Sequence, residues 1–181
     1  MNAFGQWLVL AAIVATGQTT VLEASDEKDA TSMVDEAIVQ AGTPVLQALI
    51  VHSRDEALAN GVEPIPTEIR QKLAGFISEG VLSAARFRVQ GGDELSLQFN
   101  AIHYGDTRAI TLDYVIIFKR SDDVLHDIST WVHELTHIEQ YQRWGIRGFA
   151  VRYLRDAAGV EREASEAETS YTAWAKKAAG P

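Results

Sequence analysis

The sequence predicts one α+β domain, in which several helices accompany a small β-sheet. About 46% of its 181 residues are apolar, which is enough to bury a core, and the length fits a single domain. Residues 109–119 are rich in β-branched and aromatic side chains and predict the strongest strand. From Ser121 onward the apolar residues recur at helical spacing, which predicts helices up to the C-terminus.

Residues 1–24 predict a signal peptide and leader, and residues 25–181 the single domain. The apolar run at 7–17 has 11 residues, which suits the central region of a signal peptide and is too short to span a bilayer. Cleavage after Gly17 or Ala24 would leave a mature chain without a stable membrane span. A buried amphipathic helix is the alternative, because no Lys or Arg precedes the run. We therefore expect a periplasmic or secreted protein.

The next elements follow from apolar spacing and turn residues. Residues 24–31 predict a linker, and residues 31–60 a helical segment broken at Gly42, Thr43 and Pro44. After a turn at Pro64 and Pro66, residues 67–82 predict one helix and residues 86–90 a short strand. Residues 95–102 fit either a strand or a short helix.

The C-terminal third predicts three helices. Ser121 or Asp122 can cap the first, which has an acidic first turn and ends at Gly145. Residues 148–157 and 160–177 predict two more helices, separated by Gly159.

Charge and composition exclude several classes of protein. The formal net charge of −9 argues against a nucleic-acid partner, because neutralising phosphates requires a basic face. Because the chain contains no cysteine, zinc sites built on thiolates are excluded. Any metal must therefore be held by His, Asp or Glu.

The first C-terminal helix carries the motif His133-Glu134-Leu135-Thr136-His137. Residues four apart share a helix face, so both imidazoles can bind one ion while Glu134 lies beside it. Zinc with three protein ligands keeps a position for water, whose pKa falls toward about 7, and a nearby carboxylate accepts its proton. The motif therefore predicts a hydrolytic Zn²⁺ site, against the alternative of two solvated histidines.

A third ligand is needed, and the downstream carboxylates that could supply it are Asp156, Glu161, Glu163, Glu166 and Glu168. Glu161 follows His137 by 24 residues, which leaves room for a turn and a returning helix. Glu163 points about 160° away from Glu161 on a helix, so only one of the two can face the ion. Taken singly, each glutamate also fits a solvated helix face.

These motifs resemble a known family. The segment HELTH, the turn WGIRGF, the helix VRYLRD and the E-x-x-A step at Glu161 resemble the gluzincin pattern. More narrowly, the stretch from about Ile65 to Trp174 resembles the DUF4157 family of zincin-like domains through its IP..IR..L, AITL..VIIF and HELTH..QY segments. The resemblance implies a zincin-like α+β fold, Glu161 as the third ligand, and a strand that forms the rim of a substrate cleft.

Several further residues remain open at this point. Tyr153 or Tyr171 could stabilise an oxyanion, and Asp156 could bind the second nitrogen of a zinc-binding histidine. His103, Tyr104 and His126 are interpreted as structural residues. We expect a hydrolase, specifically a zinc metallopeptidase that acts on a peptide or protein substrate with Glu134 as the catalytic base. The alternative is a zincin-like binding or scaffold domain that keeps the metal without peptidase activity.

Overall fold

The computed structural model describes residues 24–89, 108–178 and 180. The signal peptide predicted in residues 1–24 lies outside these ranges except for its last residue, as do residues 95–102, His103 and Tyr104. In the described ranges no helix is both long enough and apolar enough to cross a membrane. The fold is α+β, with a small four-stranded mixed sheet and a majority of helix.

Helix α1 (Ala24–Ala59) begins earlier than expected and runs through Pro44. The linker predicted at residues 24–31 and the break predicted at Gly42 to Pro44 are therefore wrong. Proline removes one helical hydrogen bond, but tertiary packing holds the helix at this point. A Cβ on Gly42 would lie 3.2 Å from Leu154 Cδ1, so α1 closely approaches a later helix there.

The helix predicted at residues 67–82 is instead two helices, α2 (Thr67–Leu73) and α3 (Glu79–Ala84). Gly75 has a φ of 86°, a left-handed conformation that glycine adopts without strain, and it ends the first helix. The Ser78 side chain then caps the second by accepting from the amide of Val81.

The sheet has the order β1-β2-β4-β3. Strand β1 (Glu63–Pro64) pairs antiparallel with β2 (Arg86–Val89), which agrees with the strand predicted at 86–90 over the residues described. The single strand predicted at 109–119 is a hairpin of β3 (Ala109–Leu112) and β4 (Val115–Phe118), which turns at Asp113 with a φ of 60°. Strand β4 pairs parallel with β2, so β3 lies at one edge of the sheet.

The helix predicted from Ser121 is also divided, into α4 (Ser121–His126) and α5 (Ile128–Ala178). The cap of α5 is Asp127 rather than Ser121 or Asp122, and its carboxylate accepts from the amide and hydroxyl of Thr130. Non-helical Gly145 and Asp156 divide α5 into segments 128–144, 146–155 and 157–178.

The helix end at Gly145 is thus confirmed, whereas the break predicted at Gly159 is wrong. The break lies at Asp156, whose side chain accepts from the amide of Gly159 and so caps the last segment.

Trp131 fixes the first segment of α5 on the sheet. Its side chain is fully buried, its ring lies 5.3 Å from that of Phe87 and 4.7 Å from that of Phe118, and its Nε1 donates to Val124 O. His133 follows by two residues and therefore projects about 200° around the helix from Trp131. Packing on one face of α5 thus presents the HExxH motif on another.

Candidate metal centre

His133 and His137 lie one turn apart on the first segment of α5. Their ring centroids are 4.9 Å apart, and their Nε2 atoms are separated by 3.2 Å. His137 is buried, whereas His133 is partly exposed. The two imidazoles therefore converge on one point, as the spacing of the motif predicts.

The last segment of α5 returns past this point and brings Glu161 to it. Glu161 Oε2 lies 3.2 Å from His133 Nε2 and 3.6 Å from His137 Nε2. One donor atom from each of these three residues, called the three-residue group below, lies within 4.8 Å of the others. The breaks at Gly145 and Asp156 allow the chain to reverse, so that residues 24 positions apart meet.

Glu163 and Asp156 have other roles in the fold. Glu163 accepts from Gln140 Nε2 at 3.1 Å and also binds Arg143, so it faces away from the group. Asp156 caps the last segment of α5, where its side chain accepts from the amide of Gly159 rather than binding a histidine nitrogen. Of Glu161 and Glu163, it is therefore Glu161 that lies beside the histidines.

Both Nδ1 atoms have partners that fix the orientation of the rings. His133 Nδ1 lies 2.8 Å from Glu168 Oε1, and the other oxygen of Glu168 accepts from Ser129 at 2.6 Å. His137 Nδ1 lies 2.8 Å from Gln140 Oε1. The amide nitrogen of Gln140 donates to Val160 O and Glu163, which leaves its oxygen to face the histidine. Acceptors at both Nδ1 atoms favour the tautomer whose Nε2 lone pairs point into the group.

The three donor atoms fit a zinc ion in size and chemistry. Tetrahedral zinc with ligands at about 2.0–2.2 Å requires ligand atoms about 3.3–3.6 Å apart. The separations here are 3.2, 3.2 and 3.6 Å. Two imidazole nitrogens and one carboxylate oxygen are also a ligand set that zinc accepts.

The histidines and carboxylates of the group shift one another's pKa values. Burial would lower the pKa of His133, but the hydrogen bond to Glu161 and the negative charge of Glu134 outweigh it and raise this pKa to about 9. Burial would likewise raise the pKa of Glu161, but its hydrogen bonds to the two histidines hold it well below the usual range. Without a metal, protons on the imidazoles therefore balance the carboxylates, and a bound cation would replace them.

Glu134 lies beside the group but outside the set of three. Its side chain is 5% exposed, and its Oε2 accepts from Thr111 Oγ1 at 2.6 Å. Burial raises its pKa above the usual value, although the charges of His137 and His133 oppose this. Sequence patterns did not point to Thr111, because a single threonine in an apolar strand carries no signal.

A cleft of about 690 Å³, part of it open to solvent, lies over the group. Edge strand β3 forms one side, and α1 and α5 form the rest. Tyr153 lines this cleft beside Glu161, and burial, with the charge of Glu161, raises its pKa. Tyr171 lies elsewhere, because its hydroxyl donates to Lys72 O and its ring packs against Phe76. His126 is exposed at the end of α4.

Comparisons with known proteins find a family match for part of the chain. No curated protein and no solved structure matches the chain significantly. Both histidines and Glu134 fall within a stretch that matches a family model, whereas Glu161 and Glu168 lie beyond its end. From β1 to the break at Gly145, residues 64–145, the chain is similar to the eCIS core domain, a family related to DUF4157.

Proposed function

We propose that this protein is a zinc-dependent metallopeptidase of the zincin-like type, in which His133, His137 and Glu161 hold the ion and Glu134 is the general base. One relationship carries the proposal. The three donor atoms are separated by 3.2, 3.2 and 3.6 Å, and a fourth side chain, the carboxylate of Glu134, lies next to them without joining them. A hydrolytic zinc site needs this division of roles between ligands and base.

The number of ligands favours an enzyme over a structural site. Structural zinc sites are usually closed by four protein ligands, whereas catalytic sites have three. In the described part of the chain the group consists of three residues, and it opens into the cleft. A zinc ion held there would act as a Lewis acid and would lower the pKa of a bound water to about 7.

Glu134 is suited to accept a proton and to return it. Burial raises the pKa of this carboxyl, and a base works best when its pKa approaches the working pH. The hydrogen bond from Thr111 holds one carboxylate oxygen, and the other oxygen remains to accept the proton. The same carboxyl then donates that proton to the leaving amine.

Tyr153 is the candidate for stabilising negative charge on the substrate oxygen. Its raised pKa keeps the hydroxyl protonated at neutral pH, and it lines the cleft beside Glu161. The hydroxyl is hydrogen-bonded to Glu161 in the fold, and on turning to the substrate it can donate instead to an oxygen that gains charge during the reaction.

The substrate we propose is an extended peptide. Within the described residues β3 is paired on one side, with β4, and its other side borders the cleft. An extended segment can add to such an edge through main-chain hydrogen bonds. A segment bound in this way would bring a peptide bond beside the three donor atoms without requiring a particular side chain.

The export of the protein is part of the proposal and has its own test. The apolar run at residues 7–17 is the observation behind it. Mass spectrometry of protein recovered from outside the cytoplasm should give a chain starting near Gln18 or Ser25. Exported protein that still carries Met1 would show that the run is not a cleaved leader.

The experiment that tests the function is peptide hydrolysis with metal exchange. Zinc-loaded protein is incubated with a peptide library, then stripped with chelator and reloaded with zinc. We expect cleavage that chelator abolishes and zinc restores. If the zinc-loaded protein cleaves no peptide, the domain is a metal-holding scaffold and the peptidase proposal is wrong.

A further inference from the structure

Helix α1 contributes to the wall of the cleft, although it precedes the stretch similar to the eCIS core domain. Leu46 and Ile50 are four residues apart on this helix and line the cleft together. Their exposed fractions are 6% and 3%, so both side chains are held by packing.

The apolar wall continues from α1 to the candidate metal ligands. Leu46 and Ile50 pack in one cluster with Tyr141 and Phe149. The rings of Tyr141 and Phe149 are stacked at 4.0 Å, and the ring of Phe149 lies edge-on to that of His137 at 6.1 Å. A side chain entering this part of the cleft would therefore meet carbon atoms rather than charges.

Two ion pairs on either side of Leu46 and Ile50 tie α1 to the domain. Arg54 donates to Asp113 in the β3–β4 turn at 2.8 Å, and Arg155 of α5 binds Glu36 at 2.6 Å. The first pair is partly buried, which makes it less sensitive to solvent than the second. The wall is thus anchored near both ends.

Helix α1 does not block the candidate metal ligands. With the helix in place, the side chains of Glu161 and His133 remain 38% and 21% exposed. The cleft also remains partly open to solvent beside the helix. These values fit a wall that shapes the cleft better than a plug that fills it.

We infer that Leu46, Ile50 and Phe149 form a subsite for an apolar side chain of the substrate, so that the peptide carries an aliphatic or aromatic residue close to the bond that is cut. The inference rests on the proposed function and names its substrate class. Burial of one such side chain favours it over a charged one by about tenfold or more in affinity.

Binding to an inactive form tests the subsite independently of catalysis. Zinc-loaded Glu134→Gln protein is titrated calorimetrically with capped six-residue alanine peptides whose third residue is Leu, Phe, Asp or Lys. The Leu and Phe peptides should bind about tenfold or more tightly than the Asp and Lys peptides. Equal affinity for all four peptides would overturn the inference.

Variants of α1 test which residues make the subsite. Leu46→Ala/Ile50→Ala should reduce the preference for Leu and Phe severalfold, with zinc content unchanged. The matched control is Val39→Ala, since Val39 is equally buried on α1 but does not line the cleft. If circular dichroism shows the double variant to be unfolded, Ile50→Val replaces it and should weaken binding of the Leu and Phe peptides but not of the Asp and Lys peptides.

The outcomes separate this inference from the proposed function. An apolar preference in binding, with no cleavage by the wild-type protein, would support the subsite and contradict the peptidase proposal. Cleavage without apolar preference, or a preference that the double variant retains, would overturn the subsite. A double variant that cleaves every peptide faster would show that α1 obstructs the cleft, which also contradicts the inference.

Discussion

Thr111 Oγ1 donates to Glu134 Oε2 across 2.6 Å, and the same hydroxyl lies 3.1 Å from the main-chain oxygen of Glu134. A residue of edge strand β3 thus holds the candidate base on α5. Because the proposed peptide adds to this strand, one element would position both the substrate and the base.

Loss of the Thr111 hydroxyl should lower the rate of hydrolysis without removing zinc. We expect Thr111→Val to reduce kcat by roughly tenfold, the scale of a hydrogen bond to a charged group, while Thr111→Ser keeps most activity. Elemental analysis should give the same zinc content for both variants. Unchanged kcat in the valine variant would mean that this hydrogen bond does not position the base.

The two neighbouring glutamates of α5 should differ sharply in zinc binding. Glu161 Oε2 lies 3.2 Å from His133 Nε2, whereas Glu163 is bound to Gln140 and Arg143. Glu161→Ala should therefore weaken zinc binding far more than Glu163→Ala, as measured by competition with a fluorescent chelator. Equal losses in the two variants would show that the ligand set is wrong.

The stability of the metal-free protein should fall as the pH rises. The pKa of His133 is about 9 in the metal-free fold, against about 6.5 in an unfolded chain. A raised pKa stabilises the fold fully below about pH 6.5, and this contribution disappears as the pH rises through about 9. The thermal midpoint of chelator-treated protein should therefore decrease over that interval.

Two controls define the origin of this decrease. Zinc-loaded protein should not show it, because the metal and not a proton would occupy the imidazole nitrogen. His126→Asn, which changes an exposed histidine on α4, should leave the decrease intact, whereas His133→Asn should reduce it, with His137, whose pKa is also raised, supplying the remainder. A flat midpoint between pH 6.5 and 9 in the metal-free wild type would contradict the coupling of His133 to Glu161.

Local patterns in the sequence predicted the part of the candidate site that lies in the HExxH motif. The spacing of His133 and His137 placed both on one helix face, and helical geometry predicted that Glu161 and Glu163 cannot both face the ion. The choice of Glu161 came from the resemblance to the gluzincin pattern. Gly145 predicted the end of that helix correctly. These features depend on residues within one element, which is why the sequence carries them.

The remaining parts depend on contacts between distant segments. The contact of Thr111 with Glu134 joins a strand to a helix 23 residues later, and no local pattern marks it. The turn at Asp113 was missed because the apolar strands on both sides of it form a nearly continuous run. Helix α1 continues through Pro44 because it packs against Leu154, more than 100 residues away, and the same packing brings Leu46 and Ile50 to the cleft.

The charge of Glu134 is the feature on which the proposed chemistry depends most. Glu134→Gln keeps the volume and most hydrogen bonding of the side chain but removes its basic carboxylate. Glu139→Gln is the matched control, because Glu139 lies on the same helix, is partly exposed and is not one of the three donors.

The most direct measurement is the rate of peptide hydrolysis by Glu134→Gln, taken together with its zinc content. We expect close to one zinc per chain in the wild type and both variants, and hydrolysis reduced by roughly 100-fold or more in Glu134→Gln alone. Hydrolysis at the wild-type rate in Glu134→Gln, or loss of zinc from that variant, would contradict the assignment of Glu134 as the base beside a three-residue metal site.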